Sequence, residues 1–348
     1  MSFKSVDRLP VLVLEPYEEL ALERWRSQGL PPDTSPEEFL GMAKLVYLPV
    51  SFYPLPHFEP RILEEDDDYI VQVDSMGGVV RRRKDAPCTY YGFIDHPIKK
   101  RSDWESYKQR FVPNLAERLP ADWGEDSIRN LNESENPVGL SLFPFFFRLG
   151  FYSMGMERFL TAFSEEPALI MDMFSFWTDF VLALIKPLLS QVRVDCLVLN
   201  EDLAFKTSTH IAPDTYAQFW FPFQDRLVEL ARQQGVPIIS VWTAGNVQPI
   251  LASLLDHGFN ATWPLERRAC GLDPQTLRKR FGRRLAMGGN IPKEVLVEGP
   301  EAIDREIERL MPIIREGGYV PTLDDMVPIE APFSSFRYLV EKLQAIRL

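Results

Sequence analysis

The run Arg284-Leu285-Ala286-Met287-Gly288-Gly289-Asn290-Ile291-Pro292-Lys293, then a long helical segment, then Glu316-Gly317-Gly318-Tyr319-Val320-Pro321-Thr322-Leu323-Asp324-Asp325-Met326-Val327-Pro328, decides the fold. Two short apolar strands, Leu285 to Met287 and Tyr319 to Val320, each lead into a glycine or acidic loop and then into a helix. That is the repeating βα unit of a barrel, whose chemistry sits in the loops after the strands.

The same alternation extends upstream. From about residue 138 the pattern predicts strands at Gly139 to Phe147, Val194 to Leu199, Pro237 to Trp242 and Asn260 to Trp263. Between and after them it predicts helices starting at Met156 and Glu166, and spanning Pro213 to Gln234, Val247 to His257, Pro274 to Phe281, Pro300 to Glu316 and Pro332 to Leu343. Proline at the first turn and glycine after the last are the capping residues these helices should have. Before residue 138, a helix carrying Leu20, Leu22 and Trp25 stops at Gly29, and a strand is expected over Leu45 to Phe52. Residues 68 to 92 alternate on both sides of Ser75-Met76-Gly77-Gly78, as a hairpin does. The expected architecture is an α/β TIM (β/α)8 barrel, one domain over residues 1–348, with an N-terminal extension and a β-hairpin insertion. No strand enters a glycine-rich dinucleotide or phosphate loop, which argues against a nucleotide-binding sheet.

Composition narrows the function. A net charge of −12 speaks against binding a nucleic-acid backbone. The exception is Arg81-Arg82-Arg83-Lys84, which reads as one hairpin arm with a solvated face; a local anion-binding or interface role is the alternative. Ala168 to Leu189 is apolar, but Asp172, Asp179 and Lys186 recur on one helical face, so a buried barrel helix is expected and not a membrane span. Cys88, Cys196 and Cys270 form no close pair, which fits a reducing cytoplasm, and each reads as a small core residue. The N-terminus shows no export-type apolar stretch.

The strand ends deliver Arg148, Glu201, Asp202, Trp242, Asn246, Glu266, Asn290, Asp324 and Asp325. Crowded carboxylates raise one another's pKa, so one can serve as an acid and another as a base or metal ligand. For Glu201 and Asp202 the competing reading is helix capping or a bridge to Lys206; for Asp324 and Asp325 it is a plain turn; for Glu266 it is pairing with Arg267 or Arg268. His57, His96, His210 and His257 sit in loops or near helix ends without metal-ligand spacing, so a cation site would have to be built from oxygen, with Glu266 as a candidate ligand.

At this level of detail the chain resembles the uroporphyrinogen decarboxylase superfamily. The resemblance is carried by Asp7-Arg8-Leu9-Pro10-Val11, Arg24-Trp25-Arg26-Ser27-Gln28-Gly29-Leu30-Pro31 and Glu201-Asp202-Leu203-Ala204-Phe205-Lys206 with Ala212-Pro213. It continues in Trp242-Thr243-Ala244-Gly245-Asn246, Trp263-Pro264-Leu265-Glu266, Gly288-Gly289-Asn290-Ile291-Pro292-Lys293, and Gly317-Gly318-Tyr319-Val320-Pro321 with Asp324-Asp325. The resemblance implies a TIM barrel, often a homodimer. It also implies either decarboxylation of uroporphyrinogen or methyl transfer between a small donor, a corrinoid protein and a thiol or folate acceptor. This chain has Arg26-Ser27-Gln28-Gly29 where the decarboxylases carry Arg-Gln-Ala-Gly-Arg, and Trp242 and Ala244 where the zinc methyltransferases carry His and Cys. Leu323 or its neighbours stand in place of the last Cys, and Asp324-Asp325 in place of Asp-His, while Glu266 matches a glutamate near zinc in some relatives.

The expectation is a cytoplasmic, methyltransferase-like enzyme acting on a small methylated donor. Glu266, Asp325, Asp324, Glu201 and Asp202 are the candidates for proton transfer. Trp242, Asn246, Asn290, Arg148, Lys206 and Tyr319 would bind substrate, and the hairpin near residues 70 to 92 would be a dimer or lid element, a lid giving Tyr90 and Tyr91 something to cover. A divalent metal, or a corrinoid or folate partner, would complete the reaction. A decarboxylase, with Arg148 and Lys206 holding the carboxylate, and a non-catalytic subunit for a corrinoid protein are the alternatives.

Overall fold

The computed structural model describes residue 3 and residues 9–15, 17–86 and 91–348, with Tyr91 described by its backbone alone. Asp7, Arg8, Cys88 and Tyr90, named above from the sequence, lie outside the described residues.

Among the described residues eleven strands form two sheets: β1 (Val46–Tyr47), β2 (Arg61–Glu65), β3 (Tyr69–Val73), β4 (Val79–Arg83), β5 (Tyr91–Asp95), β6 (Val138–Leu142), β7 (Cys196–Asn200), β8 (Ile238–Trp242), β9 (Ala261–Leu265), β10 (Ala286–Ile291) and β11 (Tyr319–Leu323). Seven of them join in the order β1-β6-β7-β8-β9-β10-β11 and four in the order β2-β3-β4-β5. The seven-stranded sheet is parallel, with helices between successive strands from β6 onward, which is a TIM-like α/β fold. Seven strands are hydrogen-bonded there among the described residues, one fewer than the eight expected. The insertion is also larger than one hairpin, being a four-stranded antiparallel sheet over Arg61–Asp95.

The chain divides into two compact units. One comprises Met1–Val46, Ala204–Thr209 and Ser240–Leu348; the other comprises Tyr47–Leu203 and His210–Ile239.

In the second of these units, the segment expected as strand Gly139 to Phe147 stops at Leu142, and Phe146–Met154 is a helix. Pro144 cannot donate to a ladder, and a run of apolar residues buried on all sides suits either element equally. Arg148 therefore lies in a helix and not at a strand end. Phe146 stacks on Phe174 at 4.2 Å, and Phe147 meets Phe159 at 5.3 Å and Tyr216 at 5.5 Å. A Cβ on Gly150 would come within 2.3 Å of the Phe159 ring, so only glycine lets these helices approach. The expected helix Pro213 to Gln234 is two, Pro213–Phe219 and Phe221–Gln233, because Pro222 restarts it. Pro167–Leu189 is long and apolar enough to cross a membrane by length and composition. Its Leu169, Ile170, Phe174, Trp177 and Leu184 are nevertheless buried in the unit's core, Asp172 accepts from Trp104 Nε1 at 2.8 Å, and Asp179 pairs with Arg226 at 2.7 Å. Arg118, 2% exposed, donates to the carbonyls of Ser51, Tyr53, Arg110 and Val112 at 2.7 to 3.2 Å.

The other unit holds β9, β10 and β11 in parallel register, with Met287 opposite Tyr319 and Asn290 opposite Thr322. Helix Glu19–Ser27 seats Trp25 against Phe336 at 4.6 Å, and its indole donates to Ala331 O at 2.9 Å. Arg278 repeats the device seen at Arg118. It is 5% exposed and donates to the carbonyls of Gly282, Leu285, Gly317 and Gly318 at 2.8 to 3.2 Å, pinning the chain where it enters β10 and β11.

Arg278→Met keeps the apolar stem but strands four carbonyls, so it should lower unfolding free energy by about 2–4 kcal/mol in urea titrations. Arg278→Lys should recover little of the loss, because one ammonium cannot reproduce the forked donor set.

Candidate functional site

The unit containing β9 to β11 gathers a cluster at its strand ends. Glu266 directly follows β9, Lys293 follows β10 by one residue, and Asp324 and Asp325 directly follow β11. Neither arginine beside Glu266 pairs with it: Arg267 binds Glu306 and Arg268 binds Glu298. Glu266 Oε2 instead accepts from Gly245 N at 2.5 Å and from Cys270 Sγ at 3.2 Å. Gly245 has φ +84° and a Cβ there would lie 2.5 Å from Ala204 O, so glycine is required for this amide to reach the carboxylate.

The two adjacent aspartates have different surroundings. Asp325 pairs with Lys293 Nζ and accepts from Met326 N at 2.7 Å. Asp324 is 6% exposed and touches no cation; its oxygens accept from Lys293 N at 3.0 Å and Arg267 N at 3.2 Å. Burial, reinforced by the charges of Glu294 and Glu266, pushes its pKa up to about 7 against the pull of those two amides. Asp324 is therefore a carboxyl that exchanges its proton near neutrality.

Cys270 belongs to this cluster and was missed, because a lone cysteine reads as a small core residue. It is half-buried, one turn beyond Glu266, and burial together with the Glu266 hydrogen bond pushes its pKa up to about 12, so it stays a thiol. The exposed Lys206 lies close enough for its charge to oppose that rise. The spacing Glu266-x-x-x-Cys270 was the available signal.

The remaining candidates in this unit are held by hydrogen bonds to other groups of the chain. Trp242 donates from Nε1 to Glu15 Oε1 at 2.5 Å. Asn246 donates to Thr207 O at 3.2 Å and through its amide to Phe205 O at 2.9 Å, tying down the 204–209 segment. Asn290 is fully buried; its Nδ2 donates to Leu272 O at 2.7 Å and its Oδ1 accepts from Arg309 at 2.8 Å. The buried Tyr319 hydroxyl donates to Gly289 O at 2.5 Å.

Glu201, Asp202 and Arg148 belong to the other unit. Glu201 is fully buried, and its oxygens accept from Phe147 N at 2.8 Å and Trp220 Nε1 at 2.7 Å. The first of these bonds caps helix Phe146–Met154, as the capping alternative anticipated, although from a distant strand. Burial pushes its pKa up to about 8, while both N–H donors and Arg148 pull it down. Arg148 donates to the Tyr152 hydroxyl at 3.2 Å, and Asp202 is half-buried. Among the described residues no three His, Cys, Asp or Glu side chains gather as a metal-holding group, so the donor set does not fit a tightly bound divalent ion.

A parallel βα sheet with acidic residues at its strand ends is the arrangement of a TIM-like scaffold. The family model for uroporphyrinogen decarboxylase (URO-D) matches residues 146–346, and the chain belongs to that family. Among solved structures it is similar to a methyltransferase from Methanosarcina mazei, at a TM-score of 0.60 and 17% identity, over 98% of this chain and 94% of that one. That likeness is one of fold. A search of curated protein sequences returned no match.

The raised pKa of Asp324 makes a prediction for stability. The unfolded carboxyl releases its proton near pH ~3.9, whereas the folded one holds it to about 7. The native state then binds the extra proton between those values, and stability must fall as pH rises through the window. Urea midpoints from pH 5 to 8 should decline less steeply in Asp324→Asn than in the unsubstituted protein, the residual slope belonging to Glu201.

Proposed function

We propose that this protein is a methyltransferase-like enzyme of the URO-D family that takes a methyl group from a small donor, with Asp324 as the acid that protonates the leaving heteroatom. The observation that carries the reading is the state of the charges beside Asp324. Arg267, Arg268 and Lys293 are each bound to a carboxylate, through Glu306, Glu298 and Asp325, while Asp324 itself keeps its proton to near neutrality. Of the cations near the cluster a polycarboxylate would meet the exposed Lys206 but would find Arg267, Arg268 and Lys293 already engaged, whereas a neutral donor needing one proton would find it supplied.

When the donor's carbon–oxygen or carbon–nitrogen bond breaks, the electron pair stays on the heteroatom and the Asp324 proton moves to it. The methyl carbon passes to a nucleophilic acceptor, for which the family resemblance suggests a corrinoid protein or a folate. A quaternary ammonium donor leaves as a neutral amine and needs no acid, so a donor with an ether, alcohol or protonatable amine leaving group suits this site better. Glu266, held by Gly245 and Cys270, favours the proton on Asp324 through its charge, and Trp242 supplies an aromatic wall. Decarboxylation is the second reading, favoured by the family match itself; there the Asp324 proton would go to the carbon that loses carbon dioxide.

Turnover should be assayed with methanol, methylamines and methyl ethers against reduced cobalamin, followed by absorbance, and in parallel with uroporphyrinogen. The reading expects methyl transfer, a rate that declines above about pH 7, and a loss of about a hundred- to ten-thousand-fold in Asp324→Asn. Coproporphyrinogen formation without methyl transfer would select the decarboxylase, and an Asp324→Asn variant at full rate would remove Asp324 from either mechanism.

A further inference from the structure

The basic run on β4 is divided by the strand's alternation, since successive side chains face opposite sides of a sheet. On one face Arg81 packs 3.9 Å from the Tyr69 ring, and Arg83 pairs with Asp85 at 2.7 Å. Beyond the strand Lys84 pairs with Glu65 at 2.7 Å. Arg82 points to the other face with Val80, is half-buried, and lines a cavity of about 280 Å³. Among the described residues it has no ion pair. A partly desolvated guanidinium that faces a cavity and forms no ion pair among the described residues is the feature the fold alone leaves unexplained.

The walls of the cavity are aromatic. Phe143 stands between Tyr53, at 6.1 Å and 59°, and Tyr152, at 6.4 Å and 68°. Behind Phe143, Arg148 lies 5.5 Å from its ring and donates to the Tyr152 hydroxyl, adding positive potential. Asp74 also lines the cavity, but its Oδ1 is occupied by Met76 N at 2.9 Å and Gly78 N at 2.8 Å, where it holds the hairpin turn. The register places Val80 opposite Gln72 and Arg82 opposite Ile70. Asp74 is thus four positions along the ladder from Arg82, or about 13 Å at strand rise.

We propose that this cavity binds a small organic acid with a flat, unsaturated body, its carboxylate gripped by the Arg82 fork and its plane against Tyr53, Phe143 and Tyr152. The volume admits one substituted ring and excludes a macrocycle of four pyrroles. The site lies wholly within the unit of Tyr47–Leu203 and His210–Ile239 and does not depend on the chemistry assigned to Asp324.

Calorimetric titration of the full-length protein with benzoate and 4-hydroxybenzoate tests the proposal, with benzyl alcohol, acetate and inorganic phosphate as comparison ligands. The expected result is saturable one-site binding of the two aromatic acids, weakened at least about tenfold in Arg82→Gln and unchanged in Arg83→Gln, whose side chain is on the opposite face. Benzyl alcohol should bind more weakly for lack of charge, and acetate and phosphate for lack of a ring. Equal affinity of benzoate for Arg82→Gln and the unsubstituted protein, equal affinity of acetate and benzoate, or no binding to the folded protein would each overturn it.

Discussion

Each unit depends on one buried arginine that gathers carbonyls from irregular backbone. A loop cannot satisfy its own carbonyls as a helix or ladder does, and burying them unpaired is costly. Arg118 collects four such groups, including Ser51 and Tyr53, and so fixes the segment that supplies one wall of the aromatic cavity. Arg278 collects four more at the entrances to β10 and β11, whose opposite ends carry Lys293 and Asp324. In both cases a group without chemistry of its own sets where the chemical groups stand.

The carboxyls separate into different roles by their surroundings. Asp325 is neutralised by Lys293, Glu201 is bound by two N–H donors and caps a helix, and Glu266 is held by an amide and a thiol. Asp324 accepts only backbone amides and stays near two other negative charges, which leaves it the group best suited to give up a proton at neutral pH. Cys270 matters here as a donor to Glu266, and its raised pKa sets it against acting as a thiolate.

The order of strands and helices was legible because hydrophobic periodicity and the proline and glycine caps report local structure directly. It failed where those signals are ambiguous. Phe143 to Phe147 is apolar throughout and fits a strand or a helix, and Trp220 interrupts a helix because of the proline two residues later. The acidic residues after β9 and β11 were also legible as a candidate site, since charge immediately after a buried strand is costly unless it faces an opening. Their division of labour was not, because it depends on partners far away in the chain: Lys293 for Asp325, Gly245 for Glu266, and Glu306 and Glu298 for the two arginines that follow Glu266.

The sequence by itself determined the βα alternation, the family resemblance and the list of polar residues at the strand ends, all of which follow from local pattern. Tertiary structure alone decided that Asp324 holds its proton to near neutrality, that Cys270 joins Glu266, and that Arg82 of a uniformly basic run faces an aromatic cavity while Arg81 packs on Tyr69 and Arg83 pairs with Asp85. The reason is physical: ionisation and binding depend on desolvation and on charges a few ångströms away, and those neighbours are set by folding and not by adjacency along the chain.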